Sequence, residues 1–231
     1  MAPGRNIPEA ARIEIYEYEA FPVGRRGGAG ELIEMRFEHS DGKISHASDI
    51  KHNDSREVIS ISAGEDGHFF SGTREVFDDS GRRRRKDSIS RGNGGVYIRH
   101  DFNAGSRTVE RSIRADRVLA VDVSLLILLR SFNFDEPEKL DVFMVDFSGR
   151  SVFASVSLED VEDVEVPAGK FRCYRMEVAV GLPVIRPRVT FWISVEKPHF
   201  MVKHSGRRGP FTPVYETLLL SKEFQGAGGD E

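Results

Sequence analysis

Turn signals recur along this chain every ~8–12 residues, a spacing that leaves room for short strands and little else. Ser40-Asp41-Gly42, Asn53-Asp54, Asp66-Gly67, Asp78-Asp79-Ser80-Gly81, Gly92-Asn93-Gly94-Gly95 and Asn103-Ala104-Gly105 punctuate the first half. Such residues supply the positive φ and local hydrogen bonds that tight hairpins need. Between them apolar residues alternate with polar ones, as Ile33, Met35 and Phe37 do against Glu34, Arg36 and Glu38. A period of two buries one face of a strand. The pattern predicts strands over Arg12–Glu19, Glu31–His39, Lys43–Lys51, from Val58 through Ile61, Phe69–Phe77, Arg82–Ser90, Val96–Phe102 and Thr108–Ile113. In the first, Ile13 and Ile15 oppose Glu14, Tyr16 and Tyr18, which puts two aromatics where a solvated face would be polar. Residues 1–9 read as a flexible lead. Phe21–Gly30 reads as a loop, its Arg25 and Arg26 set among small residues with no helix following to favour an anion.

The period changes at Asp122. An aspartate can cap a helix, and Val123 and Leu125–Leu129 follow it before Arg130, Ser131 and Phe132. This predicts a short helix over 122–132, apolar almost all round and therefore buried on more than one side. After a loop over Asn133–Glu138, strands resume at Leu140–Phe147 and Val152–Leu158, the first apolar on both faces. Val164 and Val166 lead through Pro167-Ala168-Gly169 into Phe171–Val180. Gly181–Pro187 cannot lie in a central strand. Val189–Val195, Phe200–Lys203 and a closing strand over Phe211–Phe224 complete an antiparallel succession, with a Gly-rich tail at Gln225–Glu231.

Several of these residues carry a resemblance. Val166-Pro167-Ala168-Gly169-Lys170-Phe171-Arg172-Cys173-Tyr174 is followed by the Trp192 strand, Lys197-Pro198-His199 and Met201-Val202-Lys203-His204-Ser205. Tyr215-Glu216-Thr217-Leu218 comes last. This resembles the C-terminal signature of the DUF3108 family, most closely over residues 160–220. The family is named for having no known function. The resemblance implies a curved antiparallel sheet of the lipoprotein-carrier kind, often exported, and suggests an apolar ligand. It implies no catalytic residues.

Composition excludes some classes. With 231 residues, 39% hydrophobic and 30% charged, the chain is an ordinary globular one. A net charge of −4 gives no overall pull towards nucleic acid. The single Cys173 allows no internal disulfide and sits on an apolar strand as a structural thiol. The longest apolar run, Val118–Leu129, is too short and interrupted for a membrane span. The N-terminus lacks the apolar core of a secretory signal, which reads as cytoplasmic; the envelope is the expectation if the sequence was trimmed.

The expected fold is mainly β, a curved antiparallel sheet or half-barrel with one or two short helices on its concave face, forming one domain over 1–231. No catalytic motif stands out, so the expectation is a protein that is not an enzyme, needs no cofactor and holds no metal. A bent sheet capped by an apolar helix either fills its concavity or holds a greasy ligand. The residues placed to line such a cavity are Tyr16, Tyr18, Phe37, Leu126, Phe143, Tyr174, Trp192 and Phe200, with a lipid or other apolar small molecule as partner. The alternative is a scaffold that docks a protein partner on a sheet face or edge. Arg82, Arg83, Arg84 and Arg85, followed by Lys86, are candidates to hold an anion; the plainer expectation is a solvated edge that discourages sheet-to-sheet pairing.

Overall fold

Turn chemistry places the hairpins, and the strands follow from the turns. The computed structural model describes residues 12–23, 30–103, 107–114, 119–121, 124–181, 187–207 and 213–226. The first half runs through β1 (Arg12–Pro22), β2 (Glu31–Ser40), β3 (Lys43–Lys51), β4 (Ser55–Gly64), β5 (Phe69–Asp78), β6 (Arg83–Gly92), β7 (Gly95–Phe102) and β8 (Arg107–Arg114). The second half holds β9 (Leu119–Val121), the helix α1 (Ser124–Arg130), β10 (Leu140–Val145), β11 (Ser151–Val166), β12 (Gly169–Gly181), β13 (Arg188–Ser194), β14 (Met201–Arg207) and β15 (Val214–Gly226).

All fifteen strands join one sheet in the order β8-β7-β6-β5-β4-β3-β2-β1-β15-β14-β13-β12-β11-β10-β9. The first half steps outwards from β1 to the edge at β8. The chain then reaches the far edge, where β9 lies parallel to β10, and steps back inwards. The last strand therefore pairs with the first in the middle of the sheet, Tyr18 facing Leu219 and Glu14 facing Phe224. The sheet is not closed, since β8 and β9 each end it. The closing strand extends through Gln225 and Gly226, which the sequence pattern assigned to a tail; its expected start at Phe211 lies outside the described residues.

Burial on one face of this curved sheet collects a single core. In β1 the buried face is the one carrying Glu14, Tyr16, Tyr18 and Ala20, not the isoleucine face. α1 is seven residues long, and every residue from Ser124 to Leu129 is buried. It lies against β4 and β9 on the core face. The expected helix start at Asp122 lies outside the described residues, as do Arg25 and Arg26. Ser124 Oγ accepts the Val121 N–H at 2.6 Å and so ties the strand to the helix start.

Arg82–Lys86 stands corrected as an edge. β6 pairs with β5 on one side and β7 on the other, so its cations lie inside the sheet. The end strand is β8. A cationic strand can pair centrally here because its neighbours bring carboxylates, as shown below.

One turn packs on the helix. Gly67 has φ +81, and a Cβ there would meet Leu128 Cα at 2.8 Å and Ser131 Oγ at 2.8 Å. Gly94 has φ +79 with open space around it. Gly67→Ala is expected to cost about 2–3 kcal/mol, from the left-handed backbone plus displacement of the helix. Gly94→Ala carries only the backbone part, about 1 kcal/mol. Urea unfolding of the two variants checks this; equal losses would mean that the turn does not press on the helix.

Candidate functional site

Five of the eight residues proposed to line an apolar cavity lie in the core instead. Tyr16, Tyr18, Phe37, Leu126 and Phe200 are all buried, none more than 7% exposed. Tyr16 stacks on Phe200 at 5.5 Å between ring centroids and meets Phe37 edge-on at 5.9 Å. The Tyr18 hydroxyl donates to Met201 O at 2.9 Å. Phe143, Tyr174 and Trp192 are half-buried at the margin of the core. Tyr174 stacks on Phe134 at 3.9 Å, and Phe143 meets Phe153 at 5.2 Å. Trp192 donates Nε1–H to Glu162 at 2.6 Å beneath the Lys203 ammonium. The rings fill one another's space, because aromatic edges and faces attract each other at these separations.

Sequence reasoning missed the polar centre of this core. Glu14 is fully buried. Its carboxylate accepts from Tyr16 OH at 2.7 Å, Arg12 Nε at 2.8 Å and Arg130 Nη2 at 2.5 Å. His39 Nε2 lies 3.0 Å away as a close contact rather than an aligned hydrogen bond. Burial alone would raise the Glu14 pKa. The His39 contact, the Arg130 charge and the hydrogen bonds from Tyr16 and Arg12 outweigh it and hold the carboxyl well below the ordinary range. Arg130 reaches in from the end of α1 and lies over the Phe37 ring at 4.3 Å. The available signal was that Glu14 shares a strand face with Tyr16 and Tyr18.

Next to this group, His46 Nε2 lies 2.7 Å from Ser48 Oγ, a spacing that a nucleophile and its base would use. Chemistry does not follow. Both residues are sealed in the core, and His46 Nδ1 has no hydrogen-bond partner to orient the ring. Burial, and then the charge of Arg130, lower the His46 pKa to about 3, which makes it a poor base at neutral pH. Burial also pushes the Cys173 thiol up to about 12, so it is an inert core residue.

The arginine run is largely neutralised. Arg83 meets Glu75 at 2.7 Å, Arg84 meets Asp78 at 2.6 Å and Arg85 meets Asp87 at 2.6 Å. Arg82 gives its backbone N–H to Asp78 at 2.9 Å. Asp87 is fully buried between Arg85, Arg74 and His100. Hydrogen bonds from the Ser80 hydroxyl and the Arg82 N–H, then the charge of Arg84, lower the Asp78 pKa to about 2. Arg83, Arg84 and Arg85 so paired have little left to offer a free anion, whereas the Arg82 guanidinium has no ion pair among the described residues.

A different feature lies on the outward face of β2–β8. Cross-strand pairing aligns Arg36, Ala47, Ser60, Thr73, Ser88, Arg99 and Glu110 in one row. Two positions along, it aligns Glu38, Ser45, Ser62, Ser71, Ser90, Tyr97 and Ser112. The row between them, from Phe37 and His46 to Ile89 and Ile98, faces the core. In these two rows the side chains on β3–β6 are all Ser, Thr or Ala, while longer side chains stand at both ends. Short residues between tall ones leave a furrow, and its cavity measures about 950 Å³. Five strand spacings of ~4.8 Å put about 24 Å between β2 and β7. Among the described residues, no hydrogen bond uses the hydroxyls of Ser45, Ser60, Ser62, Ser71, Thr73, Ser88, Ser90 or Ser112. At the ends Arg36 is paired with Glu38 at 2.7 Å, and Arg99 with Asp101 at 3.2 Å. None of the eight core candidates lines this space.

No protein-family model matches the chain and no curated protein matches it, so the DUF3108 resemblance stands on the residues quoted above. Three solved structures are similar in fold. A candidate lipoprotein from Parabacteroides distasonis has 12% identity and a TM-score of 0.38, over 91% of this chain and 94% of that one. The hypothetical lipoprotein YmcC from Escherichia coli has 9% identity and a TM-score of 0.30, over 92% and 84%. A candidate exported protein with a YmcC-like fold from Bacteroides fragilis has 12% identity and a TM-score of 0.32, over 93% and 96%. Among the described residues, no helix is long and apolar enough to cross a membrane.

Proposed function

We propose that this chain is a non-enzymatic binding protein whose ligand lies in the furrow across β2–β8. One observation carries the reading: a cavity of about 950 Å³ is floored by hydroxyls that the fold leaves unused among the described residues. A pocket with preformed walls and a few unspent polar groups is the usual form of a ligand site. The concave face, where an apolar ligand was expected, is occupied by Tyr16, Tyr18, Phe37, Leu126 and Phe200. The ionisable groups in the core serve one another, Glu14 with Arg12 and Arg130, Asp87 with Arg74 and Arg85. Neither group opens on the furrow, which supports binding without chemistry.

Ser62→Trp tests this. The side chain points outward from β4 into the middle of the furrow, so the bulk obstructs a ligand while surface substitutions of this kind change stability by only ~0.5 kcal/mol. Native mass spectrometry of freshly purified protein is expected to show a bound mass on the wild type and its loss in Ser62→Trp. A bound mass that survives the substitution would place the ligand elsewhere. A second reading, a scaffold that docks a protein on the eight-residue edge strand β8, is favoured by that strand's mostly exposed, unpaired side. Recovery of another protein chain with no small ligand would support it over the furrow.

A further inference from the structure

We infer that the furrow takes a neutral saccharide chain, laid across the strands from β2 towards β8. This rests on the furrow being the binding site. The lining discriminates between ligand classes. An acyl chain needs an aliphatic wall, but the isoleucines beneath the furrow, Ile61, Ile89 and Ile98, turn their side chains to the core. Nucleic acid or another polyanion needs unspent cations. Of the three arginines that line the furrow, Arg36 and Arg99 are held by Glu38 and by Asp101 with Glu110. Arg111, without an ion pair among the described residues, stands opposite Ile98 and packs towards Gly149, and one such cation is too few for a polyanion. An extended peptide binds a sheet through backbone hydrogen bonds at an edge. The floor here is the paired interior of β2–β7, which has none to give; the unpaired edge of β8 lies at its far end.

A chain of hydroxyls meets what remains. Serine and threonine hydroxyls both donate and accept, and they rotate to suit their partner. Eight of them, from Ser45 to Ser112, are spread over five strands and matched to no partner among the described residues. The paired charges at each end add planar carboxylate and guanidinium groups of both signs, with lone pairs and N–H groups left over. Tyr97 supplies an aromatic surface. It is 53% exposed, although its neighbours Val96 and Ile98 are buried. A Cβ on Gly92 would lie 2.3 Å from Tyr97 Cε2, so the ring lies close against the bare backbone of Gly92. That contact restrains the ring, which stays half exposed between Ser90 and Ser112 on the neighbouring strands. A ring held this way loses little freedom when a sugar face stacks on it. Polar hydroxyls around an exposed aromatic ring complement both faces of a pyranose, apolar C–H on one side and hydroxyl at the rim.

Isothermal titration with cellotetraose, maltotetraose, mannotetraose and chitotetraose tests the inference, with a sulfated heparin tetrasaccharide and palmitate as controls. At least one neutral tetrasaccharide is expected to bind the wild-type chain. Tyr97→Ala should weaken it about tenfold or more, corresponding to about 1.4 kcal/mol, and Tyr97→Phe should restore most of the affinity. Ser62→Trp should abolish it. Failure of all four neutral sugars overturns the saccharide inference. If heparin or palmitate then binds and Ser62→Trp blocks it, the furrow remains the site and only the ligand class falls. If Ser62→Trp blocks nothing that binds, both readings fall. Binding that is indifferent to Tyr97→Ala also removes the inference, because the ring is its centre.

Discussion

Replacing Glu14 with leucine is expected to lower stability by about 3–5 kcal/mol, the usual result of stranding a buried charge. At this chain length such a loss moves the melting temperature by roughly 10 °C. The carboxylate is fully enclosed, and Arg12, Arg130, Tyr16 and His39 all converge on it. Leucine leaves the Arg130 guanidinium 7% exposed at the end of α1 with no counter-charge at that spot. Arg130→Met alone should cost less, because Arg12 and His39 still face the carboxylate. The double variant, Glu14→Leu with Arg130→Met, should recover much of the loss, since two apolar residues of similar volume need no partner. Non-additivity is the readout: the double-mutant cycle should give a coupling of about 1–3 kcal/mol. A double variant as unstable as the sum of its parts would show that the two charges do not depend on each other. The cluster would then be four separate contacts, and α1 would be held by its leucines alone.

Much of this architecture was legible because hairpins are local. Asp41-Gly42, Asp66-Gly67 and Gly92–Gly95 each specify a turn within a few residues, and the turn sets the register of the strands on either side. Long-range pairing has no such local mark. That β15 returns to lie beside β1, and that β9 runs parallel to β10, depend on how the two halves meet around α1. The core candidates were chosen for size, and Tyr16, Tyr18, Phe37 and Phe200 are indeed central; sequence could not say whether a ligand or their neighbours would fill the space between them. Glu14 was hidden because its partner is 116 residues away. The furrow was hidden for a different reason. Each of Ser45, Ser60, Ser62, Ser71, Ser88 and Ser90 is an unremarked polar residue on a solvated strand face. Only the registers of successive hairpins stack them into two rows. Aligning β3–β6 by their turns would have exposed four consecutive strands with nothing large on the outward face over these two rows. The Arg82–Arg85 run drew attention for its charge, yet its carboxylate partners on β5 and within β6 were spread through the sequence.

Acid is expected to unfold this protein in two stages, the first led by a histidine and the second by a buried carboxylate. The first stage belongs to His46, whose folded-state pKa is about 3 against 6.5 in the unfolded chain. Below pH 6.5 the unfolded chain takes up a proton that the native state refuses. The unfolded state then binds more protons, so stability falls as pH falls, by up to about 1.4 kcal/mol per pH unit. His199, lowered chiefly by burial, adds a smaller change of the same sign. The second stage begins near pH 4.5, where Glu14 of the unfolded chain protonates while the native carboxylate stays ionised. That stabilisation is present above pH 4.5 and is lost progressively below it, so the slope steepens. Urea titrations at a series of pH values between 7 and 3.5 would resolve the two. His46→Gln keeps a group able to bond Ser48 but cannot ionise, and it should remove close to one proton from the slope above pH 4.5. Glu14→Gln should leave that upper segment alone and reduce the steepening below it; Glu75, Asp78, Asp101 and Asp146, also held low, account for the remainder. A His46→Gln curve parallel to wild type across pH 6.5–4.5 would mean that His46 ionises in the folded protein. The ring would then need water or a counter-charge beside it, and the sealed core around Phe37, Ser48 and Arg130 would have to open in solution.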